Sequence, residues 1–260
     1  MGALLFLAVV LAAEPLPKAH LGKLSTPDLL QTDSKAGFPG GGKMFCAPVA
    51  VSNGLMWLAA NGYPALAPVA KDPQAAQHAL VLALAEPRFL NQDLGEGTGA
   101  GDLLRGVASW VKQAGYTYKR VEFQGWRKHG PSYSTGVAVP QLDWVKRALL
   151  GPSAVWLNVG WYKHTKEGYA RVSGHWVTLV GYDGDVLIVH DPSPRSEQGG
   201  VQNRVTIREI AGGQLTGKKA ELPLGATGYF AITGGLPVKN GAHVGIIDGV
   251  AVLEMEQAAR

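Results

Sequence analysis

Apolar residues recur at helical spacing through the first half of the chain and in strand-like runs through the second. Within residues 45–60, Val51, Leu55 and Leu58 fall on one helical face, which Met56 and Trp57 widen. Pro48 fixes where this helix begins, because proline is tolerated only in the first turn. Asn61-Gly62 ends it, with Pro64 just beyond. Residues 74–85 and 101–115 carry two more helical patterns, the latter with Leu103, Leu104, Val107, Trp110 and Val111 on one side. Residues 116–123 alternate like a short strand, and 139–150 return to helical spacing before Gly151-Pro152. From there the period changes. Residues 154–159, 175–182 and 186–190 are β-rich runs between turn residues, and 201–210 and 226–233 read as further strands. The tail from Leu236 suggests one more hairpin, around Asp248-Gly249, which the pattern leaves unplaced.

Helices first and antiparallel strands second imply an α+β fold: an N-terminal helical part packed on a C-terminal antiparallel β-sheet. Ahead of the first helix, residues 3–13 form an apolar run of signal-peptide length, too short to span a bilayer comfortably. Small residues close it and Val10-Leu11-Ala12 offers a cleavage site, although the only positive charge before the run is the amino terminus. Residues 1–13 are therefore expected to be a signal peptide, and the protein to be secreted or periplasmic. Residues 14–42 then form an N-terminal extension ending in Pro39-Gly40-Gly41-Gly42. Residues 43–235 form the main domain, with an enlarged helical part over 62–150, and 236–260 an appendage of unassigned role.

The chain has 260 residues, 46% hydrophobic and 17% charged, enough apolar content for a sizeable core. A net charge of +4 is spread thinly apart from short groups such as Arg127-Lys128-His129, which excludes the clustered footprint of a nucleic-acid binder. No other stretch is long and apolar enough for stable membrane insertion. The oligomeric state is not readable from the pattern.

Cys46 is the only cysteine, so an exported chain has no internal disulfide, and its thiol is either buried or used. Cys46-Ala47-Pro48 opens the first strong helix. There the positive end of the helix dipole and unpaired backbone N–H groups favour the thiolate, which is the nucleophilic form. The same N–H groups can stabilise a developing oxyanion. Position alone leaves a packed, inert cysteine equally open.

A second signal lies at residues 174–192. Two β runs flank Asp183-Gly184, a strong hairpin turn. The midpoint between His175 and Asp191 is residue 183, so the hairpin brings Asp191 opposite His175, or one or two positions away. A carboxylate beside an imidazole fixes its tautomer and stabilises its cation. His190 is a second candidate base, on the face opposite to Asp191. Trp161, Tyr162 and His164 lie in the 160–173 connection, which either lines a substrate groove or forms an amphipathic surface loop. Trp161 and Trp176 are the candidate substrate-binding side chains. Asn53, on the Cys46 helix, reads as structural.

Cys46-Ala47-Pro48, Gly174-His175, Gly181-Tyr182-Asp183 and Asp191-Pro192 occur in that order. This resembles the papain-like cysteine peptidases, in particular the bacteriocin-processing (double-glycine) peptidase-like group. The resemblance implies a papain-like fold and a Cys46 nucleophile, with His175 as general base and acid and Asp191 as the orienting group. It also implies a thioester intermediate, a peptide or protein substrate, and no metal or cofactor. Two departures stand out. Ala47 replaces the group's usual glycine, and its oxyanion glutamine, six residues before the cysteine, is Gly40 here. The nearest upstream glutamine is Gln31, the candidate oxyanion donor. Two other functions fit the same residues: an inactive peptide-binding protein on this scaffold, or an amidase or transacylase.

Overall fold

The computed structural model describes residues 14–193, 203–217 and 222–257; the expected signal peptide at 1–13 lies outside them. Four helices precede most of the strands: α1 (Cys46–Ala60), α2 (Pro73–Ala85), α3 (Ala100–Gln113) and α4 (Leu142–Leu149). Local chemistry sets their ends. Asp72 accepts the Ala75 N–H at 2.7 Å and caps α2, with Pro73 in its first turn. The strands are β1 (Ala19–His20), β2 (Tyr118–Gly125), β3 (Ser153–His164), β4 (Gly168–Asp183), β5 (Val186–His190), β6 (Asn203–Glu209), β7 (Gln214–Thr216), β8 (Leu224–Gly225), β9 (Phe230–Gly234) and β10 (Val244–Met255).

Six of these close on themselves. In the order β3-β4-β5-β6-β9-β10, each pairs antiparallel with the next, and β10 pairs back onto β3 from Val244↔Tyr162 to Glu254↔Ser153. The expected fold, a papain-like α+β arrangement of a helical part on an open antiparallel sheet, is therefore corrected to a closed antiparallel β-barrel with added strands. The strand that closes it is β10. It was expected as part of a separate tail with a hairpin at Asp248-Gly249, but it is one twelve-residue strand with a register shift between Ile247 and Gly249. It is buried on both faces along most of its length, so its apolar run lacks the alternation that marks a one-sided strand. Closure also leaves fewer open strand edges.

A second correction concerns the 160–173 connection. Trp161, Tyr162 and His164 are on β3, which continues through a tight turn into β4, so there is no long loop.

Alternate residues of β3 and β4 face two cores. Val155, Leu157, Val159, Val177 and Leu179 join residues of β5, β9 and β10 inside the barrel, with Val145 and Leu149 of α4. Ala154, Trp156 and Trp176 face outward onto α1, α2 and α3. Helix α1 is pinned by two side chains from paired strand positions. Trp156 Nε1 and Thr178 Oγ1 both donate to the Ala50 carbonyl, at 2.9 and 2.8 Å. Ala50 is one turn from Cys46, so this contact fixes the height and rotation of the helix start.

The N-terminal extension wraps onto this body. β1 pairs with the end of β4, and the buried Lys23 amine donates to Gly151 O, Ser153 O and Ser153 Oγ. Burial pushes the Lys23 pKa down to about 7. Further along, the Gln31 N–H donates to Pro192 O at 2.7 Å, which holds the chain just after β5.

Candidate active site

Cys46 is the first residue of α1. The chain enters the helix through Phe45, whose buried ring stacks on Phe38 at 5.4 Å between centroids and whose N–H donates to Gly42 O at 2.9 Å. As a first-turn residue, Cys46 has no intrahelical acceptor for its own N–H. The residue is partly exposed, and its sulfur lies within hydrogen-bonding reach of His175 and of the backbone N–H groups of Trp176 and Ala47.

His175 lies on β4 across from Val159, with Trp161 on the same face and nearly parallel to its ring, 6.4 Å away between centroids. His175 Nε2 is 2.6 Å from Asp191 Oδ1. The register pairs Thr178 with His190, so Asp191 sits diagonally from His175, immediately past the end of β5. Ser193 joins them: its N–H donates to Asp191 Oδ1 at 2.9 Å and its Oγ is 3.0 Å from His175 Nε2. With Nε2 engaged by these two groups, Nδ1 is the ring nitrogen left for Cys46.

The electrostatics of the three groups agree with one another. Burial pushes the Cys46 thiol up, but the His175 hydrogen bond and charge, with the two N–H groups, outweigh it and hold the thiol below its ordinary value. Burial pulls His175 down, and the Asp191 carboxylate, then Cys46, overcome it and raise the imidazole to about 9. Burial raises Asp191, and His175 with the Ser193 N–H brings it to about 2. All three shifts act in the same sense, toward a thiolate, an imidazolium and a carboxylate.

Cys46 and His175 open onto a cleft of about 770 Å³ whose lining also includes Gln31, Trp161, Arg171 and Lys239, with Asp191 behind it. The other candidates divide. Gln31 is in the cleft wall, but its Nε2 donates to Gly42 O at 3.0 Å and Lys43 O at 2.7 Å, so both amide hydrogens are committed away from the sulfur. Trp161 lines the cleft while only 2% exposed, so it backs His175 more than it meets solvent. The Trp176 side chain points into the helical core and donates to Thr98 O at 3.0 Å, which corrects its expected place in a substrate groove; its backbone N–H is what reaches the site. His190 bonds the Pro27 carbonyl at 3.0 Å, away from Cys46. Asn53 is buried and accepts from Gln77 at 2.7 Å, a structural role. His164 packs edge-on against Tyr169 and His243, outside the cleft.

Sequence reasoning passed over Ser193 and Arg171. Ser193 follows Asp191-Pro192 directly, which is its one local signal; Arg171 has none, because it lies in the part of β4 that the sequence pattern leaves as a connection. Among the described residues, no group of three or more His, Cys, Asp or Glu side chains is placed to hold a metal ion, and no helix is long and apolar enough to cross a membrane. No family model matches the chain, and no curated protein matches it.

Proposed function

We propose that this protein is an exported cysteine hydrolase that cleaves peptide bonds through Cys46, His175 and Asp191. One observation carries the reading: a thiol at a helix N-terminus lies beside an imidazole whose Nε2 is 2.6 Å from a buried carboxylate. The ordered Cys-Ala-Pro, Gly-His and Asp-Pro motifs, and the apolar run at residues 3–13 for export, add to it.

His175 takes the Cys46 proton, and the thiolate attacks the scissile carbonyl. The oxyanion faces the backbone N–H of Cys46, because the Ala47 N–H is directed at the sulfur, Pro48 has none and Gln31 is engaged elsewhere. His175 then protonates the leaving amine as the thioester forms. It next takes a proton from water, which attacks the thioester, and returns that proton to the sulfur as the acid departs. Asp191 keeps the ring oriented and stabilises its cation throughout. Cys46→Ala removes the only thiol and is expected to abolish the acyl-enzyme adduct that intact-mass spectrometry detects with an activated ester. An adduct of wild-type yield in that variant excludes the mechanism.

A second reading, a peptide-binding protein without turnover, draws on the committed Gln31 amide, since a missing oxyanion donor costs on the order of 100-fold or more in rate. An acyl-enzyme that forms and turns over separates the two. Amidase or transacylase activity would use the same three groups, and the acceptor of the acyl group distinguishes it.

A further inference from the structure

Among the described residues, four cationic side chains, Lys43, Arg127, Arg171 and Lys239, line the cleft against one carboxylate, Glu96. Lys43 and Lys239 make no ion pair among the described residues. Lys239 is close enough to help lower the Asp191 pKa. Arg171 is held differently from a surface arginine. Its side chain is 11% exposed, its Nε donates to Asp248 Oδ2 at 2.7 Å, and its Nη2 donates to Asn158 Oδ1 at 3.1 Å. Asp248 is fully buried and also accepts the Tyr162 hydroxyl at 2.8 Å. The guanidinium passes over the paired glycines Gly160 and Gly174. A Cβ on Gly160 would lie 3.0 Å from Arg171 Nε and 2.3 Å from Asp248 Oδ2, and one on Gly174 would lie 2.3 Å from Nη2. Backbone without side chains thus lets the fork lie flat in the cleft floor, beside His175.

From this arrangement we propose that the cleft selects substrates carrying a carboxylate close to the bond attacked by Cys46, an inference that rests on the hydrolase reading. Asp248 offsets the charge of Arg171, so that residue supplies fixed, planar donors for a carboxylate. The excess positive field comes from Lys43 and Lys239 and concentrates anions in a low-dielectric cleft. Burying one acidic partner for Arg171 while leaving Lys43 and Lys239 without an ion pair among the described residues is the pattern of a recognition surface with its counter-charge supplied by the ligand.

The test uses the full chain and two alkylating agents of similar size, anionic iodoacetate and neutral iodoacetamide, at neutral pH and low salt. The iodoacetate-to-iodoacetamide rate ratio at Cys46 is expected to exceed that of glutathione by about tenfold and to fall at high salt. Lys239→Gln lowers the ratio by about two- to fivefold. Arg171→Met also lowers it; because that variant strands buried Asp248 and can lose its fold, Lys239→Gln is the deciding one. A wild-type ratio equal to that of glutathione, or a ratio unmoved by Lys239→Gln, overturns the selection of anions and leaves the hydrolase reading standing. If Cys46 reacts no faster than glutathione with either reagent, the hydrolase reading fails and this inference fails with it.

Discussion

Replacing His175 with Ala is expected to lower kcat/KM on an activated ester or peptide substrate by roughly 10⁴- to 10⁶-fold. Three losses coincide in that variant. The base that takes the Cys46 proton is gone, and so is the acid that protonates the leaving amine. The group that holds the thiol below its ordinary value also disappears, so burial, the largest influence on Cys46, then raises it unopposed by an imidazolium. The variant also leaves Asp191 buried without its ion-pair partner, so folding is checked by circular dichroism and His175→Gln is measured beside it. Glutamine retains a hydrogen-bonding side chain but transfers no proton at neutral pH, so a well-folded His175→Gln enzyme should be as inactive as His175→Ala. Near-wild-type turnover in either folded variant is incompatible with His175 as the base.

The second large effect is on stability. Trp156→Ala is expected to cost about 3–5 kcal/mol, read by chemical denaturation. The Trp156 side chain is 1% exposed, packs between β3 and the helices, and makes one of the two side-chain hydrogen bonds that hold the Ala50 carbonyl. Trp156→Phe keeps most of the volume but removes the indole donor, and should cost only about 0.5–1.5 kcal/mol. Its value lies in a separate readout. Because Ala50 is one turn from Cys46, loosening α1 on the barrel should slow Cys46 alkylation in Trp156→Phe even where the protein is fully folded. A stability cost for Trp156→Ala below about 1 kcal/mol would mean that the helix is docked by other contacts.

The elements near the site were legible because their signals are local. Pro48 marked the start of α1, the change of period near residue 151 marked the passage from helix to strand, and the turn at Asp183-Gly184 brought Asp191 to within a diagonal of His175. What could not be read was non-local. The pairing of β10 with β3 joins residues about ninety positions apart, and the strand that makes it is buried on both faces, so no alternation announced it. Asp248-Gly249, a strong turn signal in isolation, is instead a register shift in a continuous strand, where Asp248 turns inward to meet Arg171 and Tyr162. Trp176 was misjudged for a related reason. Adjacent residues on a strand face opposite ways, so the neighbour of His175 necessarily points out of the cleft. Gln31 lines the cleft, and the acceptors of its amide, Gly42 O and Lys43 O, depend on how the glycine stretch folds, which no local pattern shows.

The central claim is that Cys46 and His175 form an ion pair braced by Asp191, and the pH dependence of Cys46 alkylation by iodoacetamide tests it most directly. The pair exists between the lowered pKa of Cys46 and the raised pKa of His175, about 9. Reactivity should therefore set in below the ordinary thiol range. A second inflection should follow near pH 9 as the imidazolium loses its proton, and that inflection should be absent from His175→Ala. A single titration centred near the ordinary thiol value of about 8.5, the same in both proteins, would contradict the account.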